Sequence, residues 1–232
     1  MSAKIIKIVT VALFASLLSF YSCSEKNDAG TGLLDPNGLS RDINEIVPDT
    51  LLDKIKDLGM PVNTGDNPPN IEGAYAIVPF VLDSTNIPGD WPVGTEFAEY
   101  YLRFSEQSNA DLSVSIDYLN GPEVGNGIGS FIVGDGTNFS VFARVTTTVG
   151  ADSAYVLFLF SGSKHSDGLH DMYVALFMLD DLGDPSGYFI ENNQGRIFYD
   201  SDGLSEPTEW FLPKQADSQI IDKSKISALQ KR

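Results

Sequence analysis

Between residues 72 and 199 the chain repeatedly alternates apolar and polar side chains with period two, in short segments separated by turn residues. Ala98, Tyr100, Leu102 and Phe104 fall on one face of a segment over 96–105, with Glu99, Arg103 and Ser105 on the other. Leu112, Val114, Ile116 and Tyr118 repeat the pattern against Ser113, Ser115 and Asp117, and Phe139, Val141, Ala143 and Val145 do so again within 138–149. Strands are also predicted over 72–82, where Pro79 marks a bulge or an edge, and over 128–133, 153–161, 172–179 and 196–199. Asn120-Gly121-Pro122, Gly134-Asp135-Gly136 and Gly150-Ala151-Asp152 supply turns between them. Eight candidate strands at these spacings imply an all-β, antiparallel meander that closes into a barrel or folds into a sandwich.

Two segments break the alternation. Residues 155–160 and 172–179 are apolar on both faces, so something has to cover the face that a barrel wall normally presents to water. Leu51, Leu52, Ile55 and Leu58 lie on one face of a helix predicted over 49–58, with Pro48 and Asp49 suited to its first turn and Gly59 to its C-terminal cap. So short a helix has to dock on something, and it is the natural cover. A stretch carrying Ile220, Ile221, Ile226 and Leu229 is a second candidate, and a protein partner on strands 155–160 and 172–179 a third; alternatively, these strands sit mid-sheet over a helix.

Before the helix the pattern changes twice. Lys4 and Lys7 precede an apolar stretch over 8–18, too short for a bilayer span of about 20 residues, which reads as the core of a secretory signal. Ser22 then precedes Cys23, the only cysteine of the 232 residues. The mature fold therefore has no intrachain disulfide and no thiolate site. Residues 23–46 are rich in Gly, Asp, Asn and Ser and read as a flexible tether. The resulting organisation is a signal over 1–22, a tether over 23–46, a helix-plus-barrel domain over 47–214, and a polar segment over 215–232 that is open to a helical reading.

Composition narrows the partners. The chain has a net charge of −17, and because residues 1–22 hold two lysines and no acid, the remainder carries −19. Such a surface repels nucleic acid and anionic headgroups. With two histidines and no Gly-x-Ser-x-Gly elbow, the chain offers no recognisable nucleophilic machinery, and the expectation is a protein that is not an enzyme and carries no cofactor. A glycan-active enzyme with paired carboxylates is the competing idea, but no pair can be located.

Several residues are candidates for sites. Asp200, Asp202 and Glu206 resemble half of a calcium loop, although a polar turn explains the same residues. His165 and His170 share a hairpin loop without a third strong ligand for zinc. Tyr100, Arg103, Tyr118 and Arg144 are the candidate ligand-binding set on the strands.

Two resemblances extend this reading. Ser22-Cys23 at the end of the apolar stretch resembles the lipobox of bacterial lipoproteins, with Phe20 and Tyr21 where that motif has Leu and a small residue. The resemblance implies lipidation of Cys23 and a membrane anchor. The polar, acid-containing run Ser24-Glu25-Lys26-Asn27-Asp28 resembles the export tag of surface lipoproteins of the Bacteroidetes, implying an outer-membrane, outward-facing location. Gly73-Ala74-Tyr75, opening the first strand, resembles the Gly-x-Trp opening of lipocalins, and with Arg196-Ile197-Phe198-Tyr199 near the end of the meander it looks like lipocalin-like lipoproteins of that phylum. What this implies is an eight-stranded barrel closed by Gly73, Tyr75 and Arg196, with Arg196 packed over Tyr75, that holds a small apolar molecule or a glycan. A barrel of this size can equally be filled by its own side chains, and a structural or interaction subunit is then the alternative role.

Overall fold

The computed structural model describes residues 32–210 together with 228, 229, 231 and 232. The signal, Cys23 with its neighbours, residues 29–31 of the tether, and Ile220, Ile221 and Ile226 lie outside the described residues.

The fold is mostly β. Two short helices, α1 (Ile43–Ile46) and α2 (Asp49–Asp57), precede a two-residue strand β1 (Asp66–Asn67). Then follow β2 (Gly73–Ile77), β3 (Phe80–Thr85), β4 (Tyr100–Ser108), β5 (Ser113–Asn120), β6 (Glu123–Asp135), β7 (Asn138–Val149), β8 (Asp152–Lys164), β9 (Leu169–Asp180), β10 (Gly195–Asp200) and β11 (Leu204–Pro207). The strand expected over 72–82 is interrupted before Phe80, where Pro79 has no N–H to give a ladder. The last strand likewise continues beyond a turn at 201–203 into β11, which the sequence reading missed.

From β4 to β10 each strand pairs antiparallel with the next except that β9 pairs with both β10 and β11. The pairing then returns on itself. β11 bonds β9 through Leu204 and Ser205 and β2 through Glu206 and Pro207, β2 pairs β4, and β10 pairs β3. The strands thus form a closed ring.

A closed ring has an enclosed face and an outer one, and the period-two pattern fills both unequally. One cluster takes buried side chains from β2 through β10, including Tyr75, Phe80, Tyr100, Phe104, Tyr118, Phe139, Phe158, Phe160 and Phe198. Only the face common to all ring strands can collect from so many of them, so this is the enclosed face. Its aromatic rings lie against one another, as in Phe80–Phe198 at 4.3 Å and Tyr118–Phe158 at 4.6 Å between centroids.

The second cluster is on the outer face. Phe142, Leu157, Leu159, Ala175, Phe177 and Ile197 meet Leu39, Ile43, Val47, Leu51, Leu52, Ile55 and Met60 there. The two all-apolar strands are therefore sandwiched, and their cover is the chain's own segment before β1. Within residues 155–160 and 172–179 the outward Leu157, Leu159, Ala175 and Phe177 are buried under this cover, while Tyr155, Tyr173 and Leu179 are half-buried. Leu229, expected as part of this cover, belongs instead to the enclosed cluster.

The tether reading is corrected from residue 34 onward. Leu39 and Ile43 are fully buried, and Asp35 accepts hydrogen bonds from the amides of Asn37 and Leu39, which folds the stretch into a compact turn. Their apolar spacing was hidden by the surrounding Gly, Asp and Asn. α2 ends as its sequence predicts, with Gly59 at φ 101°. Beyond it Asn63 is clamped to the wall: its amide N–H donates to Ser140 Oγ at 2.7 Å and its side chain to Phe139 O and Ser161 Oγ.

Candidate functional site

The candidate ligand set is divided by the same alternation that builds the wall. Tyr100 and Tyr118 point into the enclosed cluster, fully buried, with stacked rings 5.4 Å apart. Arg103 lies on the other face, paired with Asp117 and 5.0 Å from the Trp210 ring, and Arg144 is exposed over Tyr155. The four do not form one site.

The expected packing of Arg196 over Tyr75 is not formed. Tyr75, beside Gly73, donates from its hydroxyl to Ile71 O and has Lys164 over its ring at 5.5 Å. Arg196 lies over Phe97, also at 5.5 Å, and its guanidinium holds both carboxylate oxygens of Asp90 with both side chains buried. The register explains the separation: Tyr75 pairs with Pro207 at one end of the ring, whereas Arg196 pairs with Thr85 and Leu176 towards the other.

The metal candidates resolve into turns. Asp200 accepts from Ser205 Oγ and Asp202 from the Leu204 amide, while Glu206 is exposed on β11. Burial, with Asp202 beside it, pushes the Asp200 carboxyl up to about 6. His165 and His170 face each other at 4.4 Å, engaging Ser163 and Asp167. Among the described residues no group of three or more His, Cys, Asp or Glu is placed to hold a metal ion.

The feature that sequence reasoning missed is the end of the ring around Arg196. Here β5 turns into β6 through Gly121 and Pro122, with Gly121 at φ 58°, so that Asn120 faces Glu123 across the hairpin. Glu123 is fully buried, and neither of its carboxylate oxygens has a hydrogen-bond partner among the described residues. Tyr100 hydroxyl, also buried, has none either, whereas Tyr118 hydroxyl donates to Thr147 Oγ1 at 2.7 Å. Burial pushes the Glu123 carboxyl up to about 8 against the smaller opposing pull of the Leu229 amide and the Arg196 charge. Burial and the nearby Glu123 in turn raise both tyrosines. Gly125 makes room for this arrangement, since a Cβ there would lie 2.1 Å from the Tyr118 ring.

This end is closed by residues far away in the chain. Ala228 and Leu229 are fully buried in the enclosed cluster. The Ala228 amide donates to Asn120 Oδ1, its carbonyl accepts from Arg196, and Asn120 in turn donates to Ala98 O. The Ile190 amide donates to Leu229 O and the Lys231 amide to Tyr188 O. Lys231 also pairs with Glu191 at 2.7 Å, and Arg232 donates to the carbonyls of Gly89 and Asp90. Outside this closure lies an open hollow of about 530 Å³ bordered by Ile87, Asp90, Ile190, Gln194, Lys231 and Arg232. A second, of about 280 Å³, sits at the register break between β5 and β6 beside Glu106, Ser113 and Ser130.

Chemically, the closed end combines a buried acid, a buried phenol and aromatic walls. It can accept and donate hydrogen bonds in water-poor surroundings, where an unmet polar group is expensive. Comparison with protein families, with curated proteins and with solved structures finds no match to this chain.

Proposed function

We propose that this chain is a lipid-anchored protein of the cell envelope, held on the outer membrane through Cys23, whose ring is an eight-stranded, lipocalin-like barrel that binds a small molecule at the Glu123 end. Counting β2 with β3 and β10 with β11 as single interrupted strands gives eight around the ring, which supports the barrel reading. The observation that carries the binding role is the burial of Glu123 and Tyr100 inside an aromatic interior, where, among the described residues, the carboxylate oxygens and the phenol meet no partner in full hydrogen-bonding geometry. Groups of this kind are normally satisfied, and a ligand is one way to satisfy them. The bound molecule has an apolar body to lie against Tyr100, Tyr118 and Phe158. Its class is a small apolar molecule or a glycan with an apolar face.

Native mass spectrometry of the protein extracted from its own membrane in mild detergent tests this. An adduct of small mass, lost in Glu123→Ala, is expected; a bare polypeptide from every preparation, with no uptake of added 1-naphthol, refutes it. Labelling with a palmitate analogue tests the anchor, which requires incorporation in the wild type and none in Cys23→Ser. The side-chain-filled enclosed face favours a second reading, an interaction subunit without a small ligand.

A further inference from the structure

Resting on that binding role, we propose that the stretch carrying Ala228, Leu229, Lys231 and Arg232 is a displaceable plug. It holds the place of a small molecule with an apolar body and a hydroxyl head, and Glu123 and Tyr100 receive the head.

The reasoning begins with what the plug does and fails to do. Ala228 and Leu229 belong to none of the ring strands, yet both side chains are fully buried in the enclosed cluster. They fill volume at the mouth with hydrocarbon. They bring no side-chain donor or acceptor to Glu123 or Tyr100; the Leu229 amide pulls on the Glu123 carboxyl, but among the described residues neither its oxygens nor the Tyr100 hydroxyl meets a partner in full hydrogen-bonding geometry. A plug evolved only to complete the core would be expected to meet buried polar groups or to face apolar ones. This one meets the apolar requirement and leaves the polar requirement open.

How the plug is held also matters. Among its hydrogen bonds are ones to the backbone of Tyr188 and Ile190 and to the side chains of Asn120 and Arg196. The flanking Lys231 and Arg232 bond at the rim, where water competes and salt screens. None of the strand ladders depends on it. Withdrawal of Leu229 therefore unmakes no ring pairing and opens the Glu123 end towards the 530 Å³ hollow bordered by Ile190, Lys231 and Arg232. A hydroxyl is the head group of choice because both receiving groups can donate and accept, and a hydroxyl does the same.

The test uses 1-naphthol and naphthalene, which share an apolar body and differ by one hydroxyl. A molecule that has to displace the plug sees an affinity reduced by the fraction of molecules with the plug withdrawn. Leu229→Ala weakens the plug, so it should bind 1-naphthol at least about tenfold more tightly than the wild type. Naphthalene should bind more weakly than 1-naphthol to both proteins, and Glu123→Ala should remove that preference. In the wild-type protein, saturating 1-naphthol should speed hydrogen exchange at the Lys231 amide, which needs no variant to fold. Equal 1-naphthol affinity in Leu229→Ala, or unchanged or slowed exchange at Lys231 in the bound wild type, overturns the plug while leaving the binding role standing. Failure of every protein to bind either compound, together with no co-purifying adduct, overturns both.

Discussion

Replacing Glu123 with glutamine should change how stability depends on pH. Glu123 is fully buried, and burial, outweighing the Leu229 amide, raises its carboxyl from the ordinary 4.5 to about 8. Between those values the folded chain keeps a proton that the unfolded chain has released, so this group's contribution falls as pH rises, from unpenalised below 4.5 to fully penalised above about 8. Each pKa unit corresponds to about 1.4 kcal/mol, so the whole span amounts to about 5 kcal/mol, of which about 2.5 kcal/mol accrues between pH 5 and pH 7. Among the described residues the groups facing Glu123 are Tyr100 from β4, Tyr118 from β5, Arg196 from β10 and the Leu229 amide. Burial and Glu123 raise both tyrosines well above their ordinary value, so neither loses its proton in this window. Asp200, raised to about 6, adds a slope of the same direction at lower pH, but it is common to both proteins and cancels in their difference. Urea unfolding of wild type and Glu123→Gln at about pH 5, 7 and 9 measures that difference. Relative to pH 5, the glutamine protein should gain on the wild type by about 2.5 kcal/mol by pH 7 and continue gaining to pH 9. A difference that stays flat across this range would refute the buried-acid account.

Two other substitutions probe the frame around the site. Arg196→Met removes the guanidinium from Asp90 and Ala228, stranding a buried carboxylate, and should cost about 3–5 kcal/mol in urea unfolding, with Asp90→Asn in the same chain recovering part of it; a loss below about 1 kcal/mol would show the pair to be dispensable. Ile55→Ala, beneath α2 and fully buried, should cost about 2–5 kcal/mol and increase binding of an apolar dye; an unchanged midpoint would mean that the helix is not a necessary cover for the β8–β9 face.

The wall of the molecule was legible because its rule is local. A side chain two residues from a buried one on a strand is also buried, so Leu102, Phe104, Val114, Ile116, Val141 and Ala143 announce their face from sequence alone. The same rule marked β8 and β9 as needing a cover, and Leu51, Leu52 and Ile55, read from helical spacing, lie against that face. It failed where burial has no period. Leu39 and Ile43 are separated by three polar residues, Ser40, Arg41 and Asp42, and they dock through the turn around Asp35, which is set by hydrogen bonds to neighbouring amides. It failed again at β11, where four residues ending at Pro207 give too short a pattern to read, yet their pairing with both β2 and β9 is what closes the ring.

The closed end was illegible for a different reason. Its members, Asp90, Tyr100, Tyr118, Glu123, Arg196 and Leu229, span nearly the whole domain, and each taken singly has an ordinary explanation. Glu123 follows Gly121-Pro122 and reads as a solvated acid after a turn; Arg196 was assigned to Tyr75 through a family resemblance. Ring closure decides otherwise, because the β5–β6 hairpin turns Glu123 inward against Tyr100, while the β3–β10 pairing brings Arg196 to the Asp90 loop. The only local trace is glycine: Gly125 stands opposite Tyr118, where any Cβ would strike the ring, so a gap in the alternation of β6 marks where a large aromatic is forced towards the acid. A buried acid that belongs to no catalytic motif thus follows from topology and from one missing side chain. The same two causes explain why it sits beneath Leu229, the only large apolar side chain among the described residues at 228–232.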